Sequence, residues 1–411
     1  MQLFPGILLM LILLAQTGPG NAAVTDVDYR ILIDESGSME LTDPDNSRIP
    51  ALKLLNALIP QGANAGIWTV GRYADMTVKW GRVDQAWREA ADRSVDLIQS
   101  NGAFSNIESA LKRATSNWKT EKSNVRRVVI LLTDGGIRIS SKPAKNEKSR
   151  QRVLGPVLES LKAKGVSVHS IALSPNADRK LLLSLAHETQ GSYSFTYDSL
   201  ELRRVLMNIF QRINQPNLVP FNDQGFAIDE TISAMTLVMF GDFSGQPATL
   251  VLPDGSVLSA ANPGDASWRS SAGFELVKLA NPLAGKWRIS VPISVENRLM
   301  VDSRLMLKVA GLPATSVAFR SMEISAELFR QGRKIKKNSF LRFVDFSFTH
   351  ITPDGDEQRV ALQHTAERQQ KGRYLYALPE GLAPGVHRFK ISAVGQNFSR
   401  SDYLEVAVSP P

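Results

Sequence analysis

Two short apolar runs, VDYRILI at Val27 to Ile33 and VVILL at Val128 to Leu132, constrain the fold of this 411-residue chain more than any other feature. The second is apolar at five successive positions, so it requires burial on both faces, as a central strand of a parallel sheet has. Around these runs, AGIWTV and SVHSIAL read as further strands, and ALKLLNALI and the stretch from Asp84 read as helices. This alternation up to about residue 215 predicts an open, doubly wound α/β sheet. Ligands of such sheets sit at the carboxyl ends of the strands.

Beyond QRINQPNLVPF the helical period disappears, and Pro216 and Pro220 mark the change. ISAMTLVMF, ATLVLPDGS, FELVKLANPLAGKWRISV and SRLMLKVAG read as strands, and a second such set follows Gly311 and Pro313. Pro-Asp-Gly at 253 to 255 and again at 353 to 355 predicts a hairpin turn in each set. The expected organisation is an α/β domain over 24–215, a β-sandwich over 221–311 and an immunoglobulin-like β-sandwich over 313–411. Whether the two β sets are copies of one another stays open at this level.

The first 22 residues carry no charged side chain, run apolar from Ile7 to Ala15, and break at Gly18, Pro19 and Gly20. This reads as a secretory signal peptide over 1–22, the apolar run being shorter than the roughly 20 residues of a bilayer span. No later stretch is apolar enough to add a membrane anchor. The chain has no cysteine, so an exported form must be held by core burial or by metal. Export argues against nucleic acid as the reason for the net charge of +8 and favours acidic surfaces or solubility.

The first strand ends in DESGSM, which places the oxygen side chains of Asp34, Ser36 and Ser38 at alternate positions. Three such groups can turn toward one point above the strand end, where a hard cation would sit. Thr-Asp-Gly, Thr133 to Gly135, stands at the end of VVILL in the same relation to the sheet.

These stretches together resemble the von Willebrand factor type A domain. DESGSM is similar to the Asp-x-Ser-x-Ser loop of that family's metal-ion-dependent adhesion site, and VVILLTDGG to its third loop. NGAFSNIESAL stands where the second loop has a threonine, with Ser105 in its place. QGSYSFTYDSLELRRVLMNIF resembles the last strand and closing helix. The resemblance implies a site made by Asp34, Ser36, Ser38, Ser105 and Asp134 that holds Mg²⁺, with Mn²⁺ or Ca²⁺ as substitutes. It further implies a protein partner whose Asp or Glu carboxylate completes the ion's shell.

Other readings of the same residues compete with this one. Ser105 and Glu108 would also form a capping box for NIESALKRA, and Asp43 and Asp45 in LTDPDNS read as a turn rather than a calcium loop. Arg138 to Arg152 has six basic residues and one acidic, and reads as a solvated flap or as a surface steering an acidic partner. RQGRKIKK, Arg330 to Lys337, reads as an exposed hairpin. The histidines at 169, 187, 350, 364 and 387 stand singly, with no metal-ligand spacing.

No Gly-x-Ser-x-Gly elbow, phosphate loop or cysteine nucleophile is present, and Ser116-x-x-Lys119 lies on the polar part of a predicted helix. The sequence therefore favours an exported, non-enzymatic binding protein of a bacterial envelope or extracellular space. One rival is a metal-independent envelope scaffold acting through its β domains. Another is a Mg²⁺-dependent hydrolase, for which Glu35 is the nearby acidic candidate for a general base. Partnership with an intracellular ATPase is opposed by the signal. If the signal is cleaved as read, N-terminal sequencing of the exported protein should start at Ala23 or Val24, and a start at Met1 would contradict it.

Overall fold

The computed structural model describes residues 26–410, apart from 45, 47, 121–123, 197, 222–223, 293, 295, 363–368, 371 and 379. The signal segment, Asp45 and His364 lie outside the described residues. Strands β1 (Val27–Asp34), β2 (Asn64–Val70), β3 (Ala74–Arg82), β4 (Arg126–Thr133), β5 (Val166–Ala172) and β6 (Tyr193–Phe195) form one sheet in the order β3-β2-β1-β4-β5-β6. All neighbours are parallel except β2 and β3, which make an antiparallel hairpin. The helices are α1 (Met39–Thr42), α2 (Arg48–Leu58), α3 (Gln85–Asp96), α4 (Ile107–Ala114), α5 (Pro143–Arg152), α6 (Leu158–Ala163), α7 (Arg179–Glu188) and α8 (Ser199–Asn214).

Both faces of the sheet are covered, as the apolar runs require. Tyr29, Ile31 and Ile33 of β1 and Val128, Ile130 and Leu132 of β4 pack with α2, α3 and α8. Leu32, Val129 and Leu131 pack on the other face with α4, α6 and α7. Side chains of Asp84, Asn106, Asp178 and Asp198 accept the N–H of the third residue on and so start α3, α4, α7 and α8. Asp28 and Arg30 form a buried pair at 2.8 Å early in β1, held by Trp80 and Trp118 indole N–H groups donating to Asp28.

Among the described residues, the remaining strands form sheets of four, ten and five. The ten-stranded sheet runs through both β sets. Its strand Asn217–Val219, directly after α8, pairs with Arg298–Ser303 of the first set and touches Ser399–Ser409 of the second. Arg400 is fully buried and joins the sets by donating to Leu305 O, Asp229 Oδ2, Thr231 Oγ1 and Ser303 Oγ at 2.7 to 3.1 Å.

The two sets share one unit in which a hairpin and a return strand pair in the same order. Thr249–Val251, Val257–Ser259 and Gly285–Ile289 build it first, and Asp345–Ile351, Glu357–Leu362 and Gly385–Val394 build it again. Both Pro-Asp-Gly turns place glycine in the left-handed region, at φ 87° for Gly255 and 93° for Gly355. Gly285 approaches Pro253 as Gly385 approaches Pro353. Trp287 Nε1 lies 2.8 Å from Leu283 O, and His387 Nε2 lies 2.9 Å from Ala383 O. Equivalent residues thus stand 100 positions apart (253 to 353, 285 to 385), a period that the divergent side chains conceal. RQGRKIKK contains a tight hairpin between Met322–Arg330 and Arg333–Lys334.

The α/β sheet is joined to the β region through helices. Leu54, Ala57 and Leu58 of α2 and Met207 and Phe210 of α8 share an apolar cluster with Val238, Phe240, Phe274, Leu276 and Met300. Ion pairs Arg204–Glu405 at 2.6 Å and Arg269–Asp92 at 2.8 Å flank it. Among the described residues no helix is long and apolar enough to cross a membrane.

His169 on β5 is buried with Nδ1 2.7 Å from Ser192 Oγ, and burial, aided by Arg212, pushes its pKa down to about 3. The unfolded chain binds this proton near pH 6.5 and the fold refuses it until about pH 3, so the stabilisation present above 6.5 is lost as pH falls through that window. His169→Gln should flatten the acid limb of a stability-against-pH profile by up to about 1.4 kcal/mol per pH unit. Denaturant melts from pH 7 to 3 measure this, and an unchanged slope would contradict it.

Candidate metal centre

The loop after β1 is fixed by backbone before any side chain acts. Gly37 N donates to Gly102 O at 2.6 Å, and Gly102 N donates to Glu35 O at 2.9 Å. A Cβ on Gly102 would lie 2.8 Å from Glu35 O, so this approach requires glycine. Ser105 and Arg138 exchange both backbone bonds, which ties the loop before α4 to the loop after β4. Three loops are thereby gathered at the carboxyl ends of β1 and β4.

All five predicted residues meet there, and Asp34, Ser36, Ser105 and Asp134 are buried. Asp34 accepts from Ser36 N at 2.9 Å, Ser105 Oγ at 2.8 Å and Thr133 Oγ1 at 2.5 Å. Asp134 accepts at Oδ1 from Ser36 Oγ at 3.3 Å and Ser38 Oγ at 2.9 Å, and at Oδ2 from Thr42 Oγ1 at 2.7 Å. The two serine hydroxyls are 3.1 Å apart. Burial pushes the Asp34 carboxyl above its ordinary pKa, opposed by its hydrogen bonds.

The donor set fits a small hard cation. Ser36 Oγ, Ser38 Oγ and Asp134 Oδ1 form a triangle with edges of 2.9, 3.1 and 3.3 Å. An octahedral shell with metal–oxygen distances of about 2.0–2.1 Å has faces with edges of about 2.9 Å. Among the described residues no three His, Cys, Asp or Glu side chains are grouped for metal. Any ion here would therefore rely on hydroxyls and two carboxylates.

Several readings need correction. Ser105 does not cap α4: Asn106 does, its side chain accepting from Ser109 N at 3.0 Å, which frees Ser105 to face Asp34. Glu108 instead accepts from Arg152, Ser149 and Lys112, and Arg152 foremost pulls its pKa down to about 2. Most of the basic stretch from Arg138 is not a flap; it folds as α5, with Arg150 on Asp178 at 2.5 Å and Ser149 buried. His350 and His387 do not stand singly but lie 2.8 Å apart on adjacent strands. Two further hydroxyls join the site that no loop spacing marks as ligands, Thr42 one helical turn after Ser38 and Thr133 beside Asp134. Arg48, which no motif marks, is fully buried against Asn46, Ser100 and Asp43.

This doubly wound sheet, with hydroxyls and carboxylates gathered at its strand ends, has the architecture of an A-type domain. Residues 28–212, just under half the chain, match the von Willebrand factor type A domain. Similar solved structures include a von Willebrand factor type A protein from Catenulispora acidiphila, at 17% identity over 77% of this chain and 67% of that one, with a TM-score of 0.39. Another is proximal thread matrix protein 1 from the mussel byssus with a zinc-occupied metal-ion-dependent adhesion site, at 16% identity, 50% and 52% coverage and a TM-score of 0.36. A third is the PilB minor pilin from Streptococcus sanguinis, at 12% identity, 48% and 63% coverage and a TM-score of 0.39. This chain spans about half the length of the mussel protein. No curated protein matches the sequence.

Asp134→Asn keeps the acceptor oxygen for Thr42 while removing the charge, so Mg²⁺ and Mn²⁺ binding should be abolished with the thermal midpoint of the metal-free protein little changed. Ser105→Thr restores the family's residue and restricts χ1, so affinity should hold or rise. Isothermal titration of both variants checks these outcomes.

Proposed function

We propose that this protein is an exported binding protein of the cell envelope or extracellular space, bacterial in origin, whose A domain engages a protein partner through a divalent cation. Asp34, Ser36, Ser38, Ser105 and Asp134 would hold the ion, Mg²⁺ in the first place, with Mn²⁺ or Ca²⁺ able to replace it. The single observation that supports this is the oxygen triangle of Ser36, Ser38 and Asp134. When bound, the ion would supply an electrophilic position for an Asp or Glu carboxylate, because three of its five protein ligands are neutral hydroxyls.

Binding is preferred to hydrolysis on the state of Glu35. Burial raises the pKa of its carboxyl, against the pull of Thr69 on β2, of Arg48 on α2 and of the backbone at Gln99 after α3. A general base has to reach a water beside the metal, and Glu35 takes no part in the hydrogen bonds that join Asp34, Ser36, Ser38, Ser105 and Asp134. The β region would present and space the A domain, through the contacts of α2 and α8.

The test is affinity capture from envelope extracts with the mature chain in Mg²⁺, repeated in EDTA and with Asp134→Asn. Capture that is lost in both supports the proposal. Capture that persists in both transfers the function to the β region as a metal-independent scaffold, and Mg²⁺-dependent turnover of a phosphoester or glycan would favour hydrolysis.

A further inference from the structure

Arg48 is the first residue of α2 and has no exposed surface. Both settings disfavour a cation: burial removes its water, and the helix N-terminus carries partial positive charge. Arg48 is also less well satisfied than its peers. Arg30 and Arg400, the other two fully buried guanidiniums among the described residues, have all three nitrogens hydrogen-bonded. In Arg48 only Nη2 is bonded, to Ser100 Oγ at 2.6 Å and Asn46 Oδ1 at 3.0 Å. Nε lies 3.6 Å from Asp43 Oδ2, and neither Nε nor Nη1 has a hydrogen-bond partner among the described residues.

The carboxylate nearest this guanidinium is Asp43, directly after α1. The carboxylates of Asp43, Asp34, Glu35 and Asp134 all act on it, and two of these belong to the candidate metal site. We infer that Arg48 is the internal counter-ion of that site: it balances the carboxylates when no metal is bound, and it weakens metal binding by repulsion when one is. The inference rests on the metal-binding reading above. It assigns Arg48 a positioning and tuning role, since it offers no ligand atom to a cation.

The charge argument and a purely structural role predict opposite signs. If Arg48 only braced the loop through Asn46 and Ser100, its loss would loosen the site and weaken metal binding. As a counter-ion, its loss leaves the carboxylates unbalanced, so a divalent cation is drawn in more strongly while the metal-free fold suffers.

The experiment is isothermal titration of the full chain with MnCl₂ and MgCl₂, paired with thermal melts in chelator and in excess metal. Arg48→Gln should bind Mn²⁺ about tenfold more tightly than the wild type, melt lower in chelator and gain more from added metal. Arg48→Lys keeps the charge and should stay within about twofold of wild-type affinity. Should Arg48→Gln fail to fold in chelator, added Mn²⁺ should restore the folded signal; failure to restore it overturns the inference. Equal or weaker Mn²⁺ binding by a folded Arg48→Gln also overturns it. Absence of Mn²⁺ binding to the wild type instead removes the metal-site reading on which the inference stands.

Discussion

The carboxylate of Asp34 is buried at the end of the central strand, out of bulk water, and donors from the protein take the place of solvent. It finds them in three segments that are distant in sequence: the backbone of Ser36, the hydroxyl of Ser105 before α4 and the hydroxyl of Thr133 at the end of β4. A buried carboxylate short of partners is strongly destabilising, so the three segments are held together by one charge. The strand order makes this arrangement accessible, because β1 lies between β2 and β4 and its end opens directly onto both neighbouring loops. The triangle of Ser36, Ser38 and Asp134 oxygens is built on this foundation.

Much of this was legible in the sequence. A strand that is apolar at successive positions needs a two-faced core, and oxygen side chains at alternate positions after it must gather on one side. Local chemistry of that kind can be read from spacing alone. What could not be read depends on partners chosen by the fold. Ser105 has the composition of a helix cap, yet Asn106 caps α4 because Asp34 claims the serine. Arg138 to Arg152 is largely exposed, as its charge count suggests, yet most of it is ordered as α5, with Arg150 and Arg152 paired to Asp178 and Glu108. The strand Asn217–Val219 reads as a connection, but it sits within a ten-stranded sheet whose pairings span most of the β region.

The two β sets illustrate the same limit from another side. Their shared unit carries the same backbone demands, a glycine with positive φ in each turn and a glycine against each proline, and these recur at a spacing of 100 residues. Side chains in equivalent places differ as much as Trp287 and His387, which both contact the carbonyl four residues earlier. Backbone geometry is preserved because few residues can satisfy it, whereas a core position accepts many shapes of suitable volume.

Helix α2 connects the candidate site to this β region. Its first residue is Arg48, on which the charges of Asp34 and Asp134 act, and Leu54, Ala57 and Leu58 lie in the apolar cluster with the ten-stranded sheet. At its far end Lys278 Nζ donates to Ala57 O at 2.6 Å, a cation at the helix terminus where the peptide dipoles favour one. The helix thus carries a well-placed cation at one end and an ill-placed one at the other, and it is about 16 Å long. The favourable end is fixed by the β region. The unfavourable end is held by the carboxylates that a divalent cation would share. Ion binding and β-region packing would therefore act on the same helix, with the β strands as the support against which Arg48 is set.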